Sequence, residues 1–308
     1  ANGLPRASMA FVGDVMLADG PGRAMRRGVD PFADFAQILQ KTDIRIANLE
    51  CVVAAGGSPV AGKPWTFRAS PRVLPVLKRH FDVMALANNH TLDYGPQAFV
   101  EMLGHLERGG LSYVGGGRNA AQAHSPLIIE RNGLKIALLS YNEFFPRNFQ
   151  AEANRPGVAW NEDAFVVHDI ARARAQHGAD LVIPFMHWGQ EYTSLANERQ
   201  RRLARLMIDA GADAVVGGHP HVTQDTETYA GKPIIYSLGN FVFDGFSEDA
   251  AKTGWLLTME LDKQGVSAWR TRVAHMNKSG IPHLDRKALG DCWKRGDALA
   301  STCPASGL

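Results

Sequence analysis

The strongest constraint on this chain is a repeated local pattern, an apolar run that ends on a side chain able to bind a cation or move a proton. Met9-Ala10-Phe11-Val12-Gly13 ends on Asp14, and Ile44-Arg45-Ile46-Ala47 ends on Asn48-Leu49-Glu50. Asp82-Val83-Met84-Ala85-Leu86-Ala87 leads to Asn88-Asn89-His90, and Leu181-Val182-Ile183-Pro184-Phe185-Met186 leads to His187-Trp188-Gly189. Asp213-Ala214-Val215-Val216 closes on Gly217-Gly218-His219-Pro220-His221, two imidazoles one residue apart on a glycine-rich turn. Runs this short and apolar, each closed by turn residues, predict buried strands of a parallel or mixed sheet. In open α/β sheets ligands gather at the carboxyl ends of the strands. Asp14, Glu50, Asn89, His187, His219 and His221 are therefore expected to converge.

Helical spacing alternates with these strands, over Pro31 to Gln40, Pro71 to Arg79, Pro96 to Arg108, Glu162 to His177 and Asn197 to Ala210. Three of these segments open on proline, whose missing donor costs nothing in a first helical turn. After Lys232 the pattern changes. Pro233 to Leu238, Gly254 to Leu261 and Val266 to Val273 predict consecutive antiparallel strands, with a turn at Lys263-Gln264-Gly265. Two sheets packed face to face with helices outside are the expected α/β architecture. Residues 1–280 read as one domain and 281–308 as an irregular tail.

With 308 residues and 45% apolar content, the chain can bury a large core. Its 33 basic and 31 acidic residues leave a net charge of +2, which gives no global pull toward nucleic acid or a membrane surface. No apolar run approaches the ~20 residues that span a bilayer. The chain starts at Ala1 without a basic or apolar leader, which fits either a mature exported form or a shortened one. Cys292 and Cys303 are spaced so that a small loop could close between them; three unrelated thiols, with Cys51 buried, is the equal alternative. A periplasmic or envelope location is expected, with a cytoplasmic one as the alternative.

The ordered series Gly13-Asp14-Val15-Met16, Asn48-Leu49-Glu50, Phe67-Arg68-Ala69-Ser70-Pro71, Ala87-Asn88-Asn89-His90, His187-Trp188-Gly189, Gly218-His219-Pro220-His221 and Ser237-Leu238-Gly239-Asn240-Phe241 resembles the CapA (PgsA) family of capsule and poly-γ-glutamate synthesis. That family belongs to the calcineurin-like metallophosphatase superfamily. The resemblance runs from about Met9 to Val273 and implies a four-layer αββα sandwich with its site at the strand ends. It implies one metal position built from Glu50, Asn89, His187 and His219, and a second from Asp14, a shared Glu50 oxygen and His221. Zinc, manganese or iron suits such donors. Two departures weaken the second position. Met16 stands where the superfamily has a histidine ligand, and Glu50 stands where a bridging aspartate is usual.

By the same resemblance His90 is the candidate acid or base. Asp93 would orient its ring, although Asp93 also suits a helix cap before Pro96. Arg68 could fork onto a carboxylate or phosphate oxygen. Asn142 and Asn240 could orient ligands, and Trp188 and Tyr192 could wall a pocket or simply fill core. The expected function is metal-dependent hydrolysis of a phosphoester or of a γ-glutamyl or peptide bond, with a polyanionic polymer as the natural partner and envelope polymer-synthesis proteins as companions. Two alternatives stand beside it: a non-catalytic polymer-binding accessory protein, and a metal-free acid/base enzyme acting next to a carbonyl through Asp14, His90 and His221.

Overall fold

A computed structural model describes residues 3–305; Ala1, on which the leader question turns, lies outside them. Among the described residues the first sheet has ten strands. Its main path runs Ser301–Cys303, Gly290–Lys294, Gly265–Met276, Thr253–Asp262, Arg6–Val15, Ile44–Leu49, Val83–Ala85, Ser112–Val114. Asn240–Val242 joins beside Arg6–Val15, and Pro282–Leu284 beside Gly265–Met276. The second sheet runs Thr226–Tyr229, Lys232–Ile235, Val215–Gly218, Leu181–His187, Leu134–Asn142, Leu127–Arg131. The strands that carry the expected site residues run parallel to one another within each sheet, as continuous apolar runs suggest, while Arg6–Val15 also pairs antiparallel with Thr253–Asp262 on its other side.

Strand alternation divides the interior into three apolar layers. Met9, Phe11, Ile44 and Ile46 of the first sheet pack against Ile136, Leu138, Ile183 and Phe185 of the second. Phe11 and Phe185 meet edge to face across that gap, with ring centroids 5.3 Å apart. Ala10, Val12, Ala47 and Met84 point the other way, onto Phe99, Met102 and Leu103 of the helix Gly95–Arg108. The outer face of the second sheet, including Ala137, Val182 and Val215, is covered by Asp163–Ala175 and Glu198–Asp209 through Val166, Ile170, Leu203 and Met207. The result is a helix–sheet–sheet–helix sandwich. Each fully buried Phe or Leu in these layers contributes about 1.5–3 kcal/mol of transfer free energy.

Helix positions match the sequence reading closely, with physical exceptions. The Asn197 cap accepts from the Gln200 backbone while Gln200 reaches back, a capping box that fixes the start of Glu198–Asp209. Pro31 does not open a helix; a turn and the 3-10 segment Ala33–Phe35 precede the short helix Ala36–Gln40. An additional helix, Asp19–Arg26, follows the first strand.

Two larger expectations are corrected. The Pro233 to Leu238 run is not part of the antiparallel series, because Lys232–Ile235 lies parallel to Val215–Gly218 in the second sheet. Ile234 and Ile235 are both fully buried, one on each face, which suits a sheet interior rather than a half-exposed meander. The Thr253–Asp262 and Gly265–Met276 hairpin forms as expected. The segment after Ile281 is not an irregular tail: through residue 305 it adds Pro282–Leu284, Gly290–Lys294 and Ser301–Cys303 to the first sheet. Trp293 sits opposite Trp269 and is 2% exposed, so one aromatic anchors a stretch whose polar composition hides its alternation. Ser306 to Leu308 lie outside the described residues. Cys51, Cys292 and Cys303 are free thiols.

Candidate metal and acid-base site

Strand register brings the polar ends together. Asp14 lies opposite Asn240 in the first sheet, and His187 lies opposite both Asn142 and Gly218 in the second. Gly218 has a steric reason: a β-carbon there would stand 2.7 Å from Asp14 Oδ1. The turn beyond it places His219 at φ 102° and His221 at φ 61°, conformations uncommon for non-glycine residues and characteristic of strained functional loops.

All six expected ligands are buried. His187 Nε2 lies 2.9 Å from Asn89 Oδ1, 3.0 Å from Glu50 Oε1 and 3.1 Å from His219 Nδ1. Donor atoms of Glu50, His219 and His221 fall within 4.8 Å of one another. His221 Nδ1 is 2.8 Å from Asn240 Oδ1 and 3.6 Å from Asp14 Oδ2. Glu50 therefore belongs to one potential ligand group with both histidines of the turn. Met16 turns away from this group; its thioether accepts the Ala18 N–H at 3.1 Å inside the apolar layer under the helices.

Several atoms in the cluster lack hydrogen-bond partners in the interior. Asp14 Oδ2, both Glu50 carboxylate oxygens and His219 Nε2 are buried without one. Leaving such groups unpaired costs about 1–3 kcal/mol each. Burial, then Glu50, pushes the Asp14 carboxyl up to about 6. Burial pushes Glu50 up to about 7 and His187 down to about 4, and it holds His219 well below the ordinary imidazole range. Neutral imidazoles and orphaned carboxylate oxygens converging on one point fit a divalent transition cation, which would supply the missing partner and favour ionised carboxylates.

Beside this cluster lies a second group with its partners in place. His90 Nδ1 is 2.6 Å from Asp93 Oδ2, which also accepts the Phe67 N–H at 2.8 Å. Lys63 Nζ donates to Asp93 Oδ1 at 2.5 Å and lies 3.0 Å from His90 Nδ1. The Asp93 carboxylate oxygens act as acceptors toward Lys63, a backbone N–H and the imidazole, so the His90 proton belongs on Nδ1 and the Nε2 lone pair is left for chemistry. Burial lowers the His90 pKa, and Asp93 opposes that shift. The Phe67 ring covers the imidazole at 4.4 Å.

Asp93 thus orients His90, and no side-chain cap is made at the start of Gly95–Arg108. Arg68 is not brought to His90; its guanidinium donates to the Gly56 and Gly57 carbonyls and lies over Tyr94. The cation that is brought there is Lys63, from the polar loop before Phe67, where nothing in the local pattern marks it. Asn48 and Asn88 were also missed as site residues. Asn48 donates to Asp14 Oδ1 at 2.9 Å and Asn88 donates to Asn48 Oδ1 at 3.0 Å, an amide relay supporting the cluster. Their place at strand ends was the available signal. Asn142 folds its own loop by bonding Phe144, whose ring covers His219 at 4.1 Å. Trp188 is core, whereas Tyr192 is half exposed with its ring 6.5 Å from His221.

The cluster opens into a cleft of ≈ 780 Å³ bordered by Lys63, Trp65, Asn89, His90, Phe145 and Glu191. Among the described residues no helix is long and apolar enough to cross a membrane.

A family model described as bacterial capsule synthesis protein PGA_cap matches residues 8–245. The PGA biosynthesis protein CapA of Bacillus subtilis (strain 168) is 37% identical over 242 residues, which cover 77% of this chain and 63% of that protein. The capsule biosynthesis protein CapA of Bacillus anthracis is 34% identical over 248 residues, covering 78% and 60%. The chain thus spans about three fifths of the length of these relatives. The solved structure of Haemophilus influenzae NAD nucleotidase (NadN) superimposes with a TM-score of 0.51 at 12% identity, covering 91% of this chain and 60% of that one. The shared architecture is the calcineurin-like metallophosphoesterase sandwich.

Proposed function

Because this chain belongs to the bacterial capsule synthesis protein family PGA_cap, we propose that it is a metal-dependent hydrolase of envelope polymer synthesis, cleaving a γ-glutamyl or peptide bond of an acidic polymer. The observation that carries this reading is the set of orphaned buried atoms on Asp14, Glu50 and His219, facing one another beside a fully partnered His90–Asp93 pair. Asp14, Glu50, Asn89, His187, His219 and His221 would hold one or two divalent ions of the zinc, manganese or iron class. Such an ion supplies Lewis-acid polarisation of the scissile group.

The chain's own residues do the rest. Trp65 and Phe145, 70% and 73% exposed, wall the cleft and offer a bound chain apolar area. Asp93 and Lys63 fix the His90 tautomer, so that Nε2 accepts a proton from the attacking water or, once protonated, delivers it to the leaving nitrogen or oxygen. Phe67 shields the ring and keeps bulk water from competing for that proton. A phosphoester substrate is compatible with the same geometry and is the second reading that the shared fold supports. Places in the cell envelope and alongside polymer-synthesis proteins follow from the same proposal.

The test is hydrolysis of γ-glutamyl oligomers and of phosphoesters by chelator-treated and metal-reconstituted protein. Reconstitution is expected to restore cleavage of the glutamyl substrate, and His90→Ala to lower it 10²- to 10⁴-fold with bound metal unchanged. Equal activity with and without metal overturns the metal-dependent reading, and cleavage of phosphoesters alone replaces the substrate.

A further inference from the structure

A second cavity, of ≈ 460 Å³, opens between the helix Asp19–Arg26 and the segment after Phe67, and Arg23, Arg26, Arg68 and Arg72 line it. The one carboxylate in its lining is Asp19. Among the described residues, the guanidinium groups of Arg23, Arg26 and Arg72 have no ion pair or hydrogen-bond acceptor. Arg68 is fixed by the Gly56 and Gly57 carbonyls and by Tyr94, so one fork of the set is held rigidly. Arg23 and Arg26 are three residues apart on one helical face, where side chains stand as neighbours. Arg72 faces them from the start of the 3-10 segment Pro71–Val73. The floor is apolar, built from Leu17, Ala54, Ala69 and Val73.

Both walls continue directly from the reactive centre. Asp19–Arg26 is the first helix after the strand that carries Asp14, and Arg68 follows Phe67, whose ring and backbone hold His90 and Asp93. We propose that this arginine cavity is a remote anion subsite, binding successive carboxylates of the acidic chain whose scissile bond lies in the neighbouring cleft. The inference rests on the acidic-polymer reading above and adds where that polymer is gripped. Separate planar guanidinium forks match separate carboxylates, each able to take a bidentate pair. An apolar floor suits the methylene arms between those carboxylates better than it suits a bare inorganic anion. Binding energy collected here, away from the reacting bond, is of the kind enzymes use to position a substrate.

The test measures binding of fluorescent γ-linked glutamate oligomers of increasing length to the full chain, at low and high salt, with inorganic triphosphate as competitor. Affinity is expected to rise with oligomer length and to fall with salt. Arg23→Ala/Arg72→Ala, which removes exposed groups without internal bonds, should weaken binding of long oligomers about tenfold or more while leaving metal content and turnover of a short chromogenic substrate unchanged. Arg131→Ala, on a strand of the other sheet, removes one positive charge elsewhere and should have little effect. Unchanged oligomer affinity in the double variant overturns the subsite, as does an equal loss in Arg131→Ala. Triphosphate binding that depends on these arginines, with no glutamate binding, overturns the carboxylate assignment. If no substrate is turned over but oligomer binding still depends on the arginines, the subsite stands and the hydrolase reading falls.

Discussion

The ligand cluster and the His90 group lie side by side, are equally buried, and are built in opposite ways. Around His187 and Glu50 six buried candidate ligands converge; Asn48 supplies a donor to Asp14 Oδ1, but four atoms in Asp14, Glu50 and His219 have no hydrogen-bond partner. Around His90 the carboxylate is fully matched and only the imidazole Nε2 is left open: Asp93 takes Lys63, His90 and a backbone N–H together. The first arrangement is stable only if something positive enters it. The second is complete as folded and is already set to move a proton. A fold that leaves one polar group starved and satisfies its neighbour has separated cation binding from acid–base work.

Breaking the starved side should have the largest effect. His187→Ala removes the ring on which Asn89, Glu50 and His219 converge, and metal affinity is expected to fall by at least ~100-fold. Elemental analysis and calorimetric titration measure it; wild-type stoichiometry and affinity in the variant would show that the cluster is no metal centre.

The next effect is one of sign. Asp14 and Glu50 are raised in the folded chain, from 3.8 to about 6 and from 4.5 to about 7, so the metal-free fold holds protons that the unfolded chain releases. Its stability is fully present below about pH 4 and is lost as pH rises through about 6 and about 7. Asp14→Asn should abolish the Asp14 share, about 2–3 kcal/mol, making metal-free protein more stable than wild type at pH 8. With metal bound the order should reverse. Thermal melts at pH 5 and pH 8, with and without added ion, test both signs, and a metal-free wild type that gains stability over this range would contradict the site's electrostatics.

The smallest effect sharpens the satisfied side. Lys63 is itself half-buried, with its pKa lowered by desolvation, and its charge helps hold His90 down. Lys63→Met should shift the acidic limb of the pH–rate profile upward by a fraction of a unit while metal content stays constant. A downward shift, or loss of metal, would place Lys63 in the cluster instead.

Much of this was legible along the chain. The six ligand candidates were visible because each one ends an apolar run, and parallel sheets collect such ends on one edge. Asp93 was recoverable as the partner of His90, since it lies three residues on and its two candidate roles involved local geometry. Arg68 was misplaced because a guanidinium beside Phe67 has the reach for either side of the loop, and the Gly56 and Gly57 carbonyls decide which. Lys63 was invisible because its partner, Asp93, lies 30 residues away, and no periodicity links a loop lysine to a turn carboxylate.

The sequence by itself determined the alternation of strand and helix, the sandwich it builds and the residues that close each strand, because hydrophobic period and turn chemistry are local properties. Only the tertiary structure decided which polar atoms remain unpartnered, which cation reaches His90 and which arginines face one another across a cavity. Those outcomes depend on register between distant strands, on Gly218 letting Asp14 approach, and on long side chains whose direction is set by whatever carbonyl or carboxylate the folded chain places within reach.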